Sequence, residues 1–179
     1  MKAKKVLIAL LNNILSLSNI NSDNFFKMFD TKIAPIMLYL SELWGMFAMH
    51  AVENVQTYAF KIFLHTSLIS CNVAILGNVG RFPMKIFAMK RCMKFWLRIL
   101  KLRKERYVKL CYNTPVFFDN HGYVTWATYI RKQLYSNWFG YVWEAQNVDS
   151  EALFLSKYLL RKKINIYKHG LTYVITITN

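Results

Sequence analysis

The chain has 179 residues, 55% of them apolar, a length that suits one domain with a real core and a composition that excludes a disordered tail. Its 24 Lys and Arg stand against 9 Asp and Glu, a formal charge of +15 with a pI near 9.8. That excess excludes a neutral surface and points to phosphate-bearing partners, nucleic acid or an anionic membrane.

In chain order, an apolar run from Val6 to Leu11 follows Lys2, Lys4 and Lys5, which superficially resembles a signal peptide. Asn12-Asn13 breaks it and no small-x-small cleavage site follows, so an amphipathic helix carrying Leu7, Leu10, Leu11 and Ile14 is expected instead. A polar turn over residues 18–23 follows, with Ser22 or Asp23 as helix cap. The next helix carries Phe25, Phe26, Met28 and Phe29, with a bend at Pro35.

Residues 33–52 are long enough to span a bilayer. Glu42 lies near the middle of that stretch and would cost roughly 2.5–3.5 kcal/mol there, so a helix buried in protein is the better reading. A third helix is expected over residues 52–66, with Val52, Val55, Ala59, Phe60, Phe63 and Leu64 inward. A short helix or turn from Cys71 to Leu76 should stop at Gly77. Residues 77–83 form the clearest loop, and Pro83 suits the first position of the following helix.

That helix, expected over residues 83–110, dominates the charge. Between Arg81 and Lys109 lie eleven basic residues and one acid, so +10 of the +15 falls in this segment. At about 100° per residue, Lys90, Arg91, Lys94, Arg98 and Lys101 share one arc, and Ile86, Met89, Met93, Trp96, Leu97 and Leu100 share another. The basic arc lacks acids for i,i+4 pairing and repels itself unless anions neutralise it. Phe87, Phe95, Tyr107 and Tyr112 adjoin it, either to stack on bases or to fill the core.

Residues 113–123, with Pro115 and Gly122, read as a second loop. A helix from about Thr125 to Trp138 should place Ala127, Ile130 and Leu134 inward, Arg131 and Lys132 outward, and end at Gly140. A last helix over residues 151–163, capped by Asp149 or Ser150, precedes an alternating segment, 171–178, that reads as a short strand. The fold class expected is mainly α, an irregular bundle of about six helices with a possible short C-terminal strand. The domains expected are residues 1–66, 67–163 and a tail, 164–179.

The chain lacks the patterns of an autonomous catalyst. Asp23, Asp30, Asp119 and Asp149 are isolated in sequence, whereas two-metal nucleotidyl transfer needs clustered carboxylates. There is no G-x-S-x-G elbow, and Gly77-Asn78-Val79-Gly80 lacks the G-K-[ST] ending of a phosphate loop. Cys71, Cys92 and Cys111 are dispersed and read as buried or half-buried thiols in a reducing compartment. No zinc spacing occurs. No catalytic residue, metal or cofactor is therefore expected.

Several blocks together bear a family likeness. Residues 29–45, Phe-Asp-Thr-Lys-Ile-Ala-Pro through Ser-Glu-Leu-Trp-Gly, resemble a helix found downstream of the catalytic palm in LINE-type (non-LTR) retrotransposon reverse transcriptases. Residues 2–11 resemble the helix that opens that family's thumb. Val52-Glu53-Asn54-Val55-Gln56 with Phe60-Lys61, residues 74–84, and residues 91–100 resemble its next blocks in order. Trp126-Ala127, Phe139-Gly140-Tyr141-Val142-Trp143 and Gln146-Asn147 complete the likeness. Leu40 stands where the family has glycine, and Asn78 and Val79 stand where it has Glu and Leu.

The resemblance implies the thumb and following helical region of an RNA-directed DNA polymerase, with the Tyr-x-Asp-Asp box upstream and no catalysis by this piece alone. It also implies a partner, the RNA template and DNA primer, and a nuclear or cytoplasmic location. The residues expected to meet backbone phosphates are Lys90, Arg91, Lys94, Arg98 and Lys101, with Arg81 at the loop mouth.

Overall fold

The computed structural model describes residues 21–47 and 49–177, together with Lys5, Ile8 and Ala9, and no side chains at 167 or 169–177. The expected first helix falls largely outside these residues. The described chain is built of helices and contains no strand. It divides into two compact units, residues 1–40 with 48–85 and residues 41–47 with 86–179. Those divisions lie at positions other than the expected 66/67 and 163/164.

In the first unit, α1 (Ser22–Met28) is capped by Asn21, whose side chain accepts from the Asp23 N–H, rather than by Ser22 or Asp23. The chain then widens into one π-helical turn, Phe29–Ile33, before α2 (Ala34–Met37). Pro35 explains the widening, because it has no N–H to return to the preceding turn. Ala34 donates to the Phe29 carbonyl as the turn closes. Leu40 follows with φ +52, a left-handed backbone that favours glycine.

The core of this unit is aromatic. Phe25 stacks on Phe63 at 4.1 Å, and Phe26 and Phe29 pack around Phe60. Phe60 and Phe63 come from α4 (His50–Phe63), whose Val52, Val55, Ala59 and Phe60 are buried as the helical period predicted. α5 (Asn72–Asn78) runs past Gly77 and is closed off by Gly80, φ +63, after which the Arg81 N–H donates to the Leu76 carbonyl. This is the left-handed helix stop that glycine permits.

Buried Gln56 of α4 holds the loop beyond. Its Nε2 donates to the Phe82 carbonyl at 3.0 Å, and its Oε1 accepts from the Met84 N–H at 2.9 Å. The following helix therefore starts at Met84, one residue after Pro83.

In the second unit, α3 (Ser41–Trp44) ends in a turn at Gly45. A Cβ on Gly45 would lie 2.5 Å from the Ser41 carbonyl and 2.8 Å from Ala88 Cβ. The turns at residues 38–40 and 45–47 break the 33–52 stretch. Among the described residues no helix is long and apolar enough to cross a membrane.

α6 (Met84–Leu100) buries Ile86, Met93, Trp96 and Leu97, with Met89 and Leu100 half-buried. Each full burial stabilises by about 1.5–3 kcal/mol. Trp96 Nε1 donates to Tyr112 Oη at 2.9 Å, and Tyr112 donates onward to Gln146 Oε1. That network makes Tyr112 a core residue.

α6 ends ten residues short of the expected Leu110. Lys101, Arg103, Lys104 and Arg106 crowd the next turn, and the extended backbone of Arg106 starts α7 (Tyr107–Asn120). The expected loop at 113–123 is thus mostly helix, with Pro115 inside it. The carbonyl that Pro115 cannot serve is that of Cys111, a residue exposed at the surface, where water can replace the missing donor. Gly122, φ +86, follows the helix end instead.

α8 (Trp126–Tyr135) opens with a Thr125–Thr128 capping box and buries Ala127, Ile130 and Leu134. Gly140 begins α9 (Gly140–Ala145) rather than ending α8. α10 runs from Glu151 to Ile177, so the strand expected at 171–178 is helical through 177. An alternating segment without a neighbouring strand has no ladder to join, whereas an established helix adds one hydrogen bond per residue.

Candidate nucleic-acid interface

The burial of one face of α6 dictates what the opposite face presents. Cys92, Met93, Trp96 and Leu97 are fully enclosed, so Lys90, Arg91, Lys94 and Arg98 point to solvent and are exposed. From Lys90 to Arg98 the helix rises about 12 Å. Arg91, Lys94, Phe95, Arg98 and Lys101 line a groove of about 260 Å³.

Two carboxylates complete that groove, Glu42 from α3 and Glu151 from α10. Sequence reasoning missed both, because neither lies near α6 in the chain. Glu151 accepts from Lys101 Nζ at 2.9 Å. Arg98 lies over the Phe95 ring, 5.2 Å from its centroid. Lys90 and Lys94 enter none of the ion pairs among the described residues. Four cations against two acids leave the groove positive, with Lys101 already engaged.

Arg81 lies in the first unit and is also engaged. Its Nη1 donates to Asp30 Oδ1 at 2.7 Å and Oδ2 at 2.8 Å, and its guanidinium lies 4.7 Å above the Phe26 ring. A cleft of about 710 Å³ opens beside it, lined among others by Phe26, Asp30, Phe63 and Asn78.

The other sequence-level candidates separate cleanly. Phe87 and Tyr107 are exposed and Phe95 is half-buried, but Tyr112 belongs to the core. Burial pushes the Tyr112 hydroxyl up to about 12. Burial likewise lowers the Lys109 ammonium, which lies over the Tyr112 ring. Cys71 and Cys111 are exposed, contrary to expectation, and only Cys92 is buried. Burial raises its thiol to about 12, where it is no nucleophile. Among the described residues no group of His, Cys, Asp and Glu is placed to hold a metal ion.

The arrangement can bind a run of anions along α6 through point charges and one guanidinium braced on an aromatic ring. The chain matches no protein-family model, no curated protein and no solved structure.

Proposed function

We propose that the chain is the thumb and adjoining helical region of a LINE-type RNA-directed DNA polymerase. In this reading it grips the backbone of template and primer and does no chemistry alone. The observation that carries the reading is the exposed cationic line of Lys90, Arg91, Lys94 and Arg98 on a helix anchored by Trp96 and Leu97. Cations held on a rigid helix meet phosphates without first being ordered.

The backbone at Leu40 supports the family likeness independently. Its φ of +52 is a conformation glycine adopts freely, and glycine is the residue the resemblance expects there.

Lys101 and Arg81 are held by carboxylates, and the phosphate track is assigned to Lys90, Arg91, Lys94 and Arg98, four contacts. The affinity for a single strand should then fall with salt at a logarithmic slope of about −3. The test is binding of RNA and DNA oligonucleotides across a salt series, with and without Lys94→Glu and Arg98→Glu together. The double reversal should abolish binding while leaving the helical content unchanged. A flat salt response, or undiminished binding by the double variant, overturns the reading.

A further inference from the structure

α7 has an unusual solvent face. Tyr107, Leu110, Cys111, Thr114, Phe117 and Phe118 fall within an arc of about 120°, and all six are exposed. The large side chains among them are substantially bare: Tyr107 is 85% exposed, Phe117 57% and Phe118 43%. At the end of the helix the rings form a continuous ladder whose aromatic neighbours meet edge to face, at 76° for Phe117–Phe118 and 89° for Phe118–Tyr123. His121 lies 4.2 Å from Phe117, Phe117 5.8 Å from Phe118, and Phe118 5.7 Å from Tyr123, centroid to centroid. The His121 ring is steadied by its Nδ1, which donates to the Phe117 carbonyl at 2.8 Å.

Charge decides what covers this face. The turn that leads into Tyr107 exposes Lys101, Arg103, Lys104 and Arg106, with Glu105 its only acid. The ring-bearing face thus continues, along the chain, from the cations of α6. A membrane-surface helix instead carries its cations along its own polar flank. α7 holds a single cation, half-buried Lys109, so its charge lies at one end and not along its sides. A polyanion whose planar groups follow its charges fits that layout. Bases offer such faces only when unpaired.

We propose that α7 is a base-stacking platform for single-stranded nucleic acid, with Tyr107 at one end and the Phe117–Phe118–Tyr123 ladder at the other. The two ends lie about 15 Å apart along the helix, a reach of several nucleotides. The proposal rests on the phosphate-gripping role of α6 and adds to it the strandedness of the ligand and the residues that meet its bases.

The experiment compares the full chain's binding to a twelve-nucleotide deoxythymidylate strand and to an abasic deoxyribose-phosphate strand of equal length. Vesicles of phosphatidylcholine and phosphatidylserine serve as the third probe. The strand with bases should bind more tightly than the abasic one by about tenfold or more. Phe117→Leu with Phe118→Leu should remove most of that preference and leave abasic binding unchanged. Leucine keeps the apolar surface and deletes only the ring face, and both positions are exposed, so folding is preserved. Equal binding of the two strands overturns the platform while leaving the α6 reading standing. Retention of the preference by the leucine variant also overturns it. Vesicle binding tighter than binding to the deoxythymidylate strand overturns it in favour of a membrane surface. Failure to bind either strand overturns the α6 reading, and the platform with it.

Discussion

Among the described residues each unit contains one arginine–aspartate pair, and the two pairs differ in everything except closest distance. In the first unit a single nitrogen, Arg81 Nη1, straddles both oxygens of Asp30, whose side chain is 48% exposed. In the second, Arg131 approaches Asp119 with two nitrogens, Nε at 2.7 Å and Nη2 at 3.0 Å, and the Asp119 side chain is 2% exposed. A 2.7 Å contact appears in both. Water competes for the first and is excluded from the aspartate of the second. Geometry alone therefore says little about what an ion pair contributes; burial of the partner left behind decides it.

The largest effect should come from Arg131→Met. It strands a buried carboxylate and should cost about 3 kcal/mol, read from urea or thermal unfolding. Adding Asp119→Asn should recover more than half of that loss, because the orphaned charge is then gone. A cost below about 1 kcal/mol for the single variant would make the two pairs equivalent and break the contrast.

The same pair should shape the acid response. Burial raises the Asp119 carboxyl, but hydrogen bonds from Arg131 and Thr128 and the charges of Arg131 and Lys132 outweigh it. The carboxyl therefore sits below its ordinary value of 3.8. The unfolded chain then binds its proton first, so the pair's contribution is complete above that value and lost as pH falls through the folded value. Melting temperatures between pH 6 and pH 2 should fall less steeply in Asp119→Asn than in the unaltered chain.

In the first unit the larger effect should come from a neutral amide. Gln56→Leu removes the side-chain hydrogen bonds to the Phe82 carbonyl and from the Met84 N–H and should cost about 1–3 kcal/mol. Cleavage by a protease within residues 79–83 should accelerate in parallel. Asp30→Asn should cost no more than about 1 kcal/mol. If the order were reversed, the arginine pair and not Gln56 would hold this loop.

These residues mark where sequence reasoning reaches its limit. The inward faces of α4, α6 and α8 were legible because an apolar period of 3.6 reports burial directly. Pro115 misled because the cost of proline in a helix depends on whether water reaches the orphaned carbonyl, a property of the surface around Cys111. The 171–178 segment misled because alternation describes a strand only when a neighbour exists. Of the cationic arc read from Lys90 to Lys101, the exposure of Lys90, Arg91, Lys94 and Arg98 was legible, whereas Lys101 lies in the turn beyond α6 and is paired with Glu151. The arc's carboxylate neighbours were not legible, since Glu42 and Glu151 reach the groove from elements 49 and 53 residues from Arg91 and Arg98 respectively. Gln56 gave no signal, because one polar residue in an amphipathic helix looks the same whether it caps a distant loop or faces water.

The Lys101–Glu151 pair carries the contrast into the groove. At 2.9 Å, with Lys101 61% exposed, it resembles the Arg81 pair in burial and should contribute about 0.5 kcal/mol. Glu151→Gln should accordingly leave the melting temperature almost unchanged. Its effect should appear in binding instead. Lys101 lines the same groove as Arg91, Lys94 and Arg98, and without its carboxylate partner it becomes one further cation for phosphate. The logarithmic salt slope for a single strand should steepen by about 0.7, with tighter binding at low salt. An unchanged slope would mean that the phosphate track ends at Arg98, one turn before the helix gives way to the basic turn. The exposed pair would then differ from the buried one in strength alone, and not in what it withholds from a ligand.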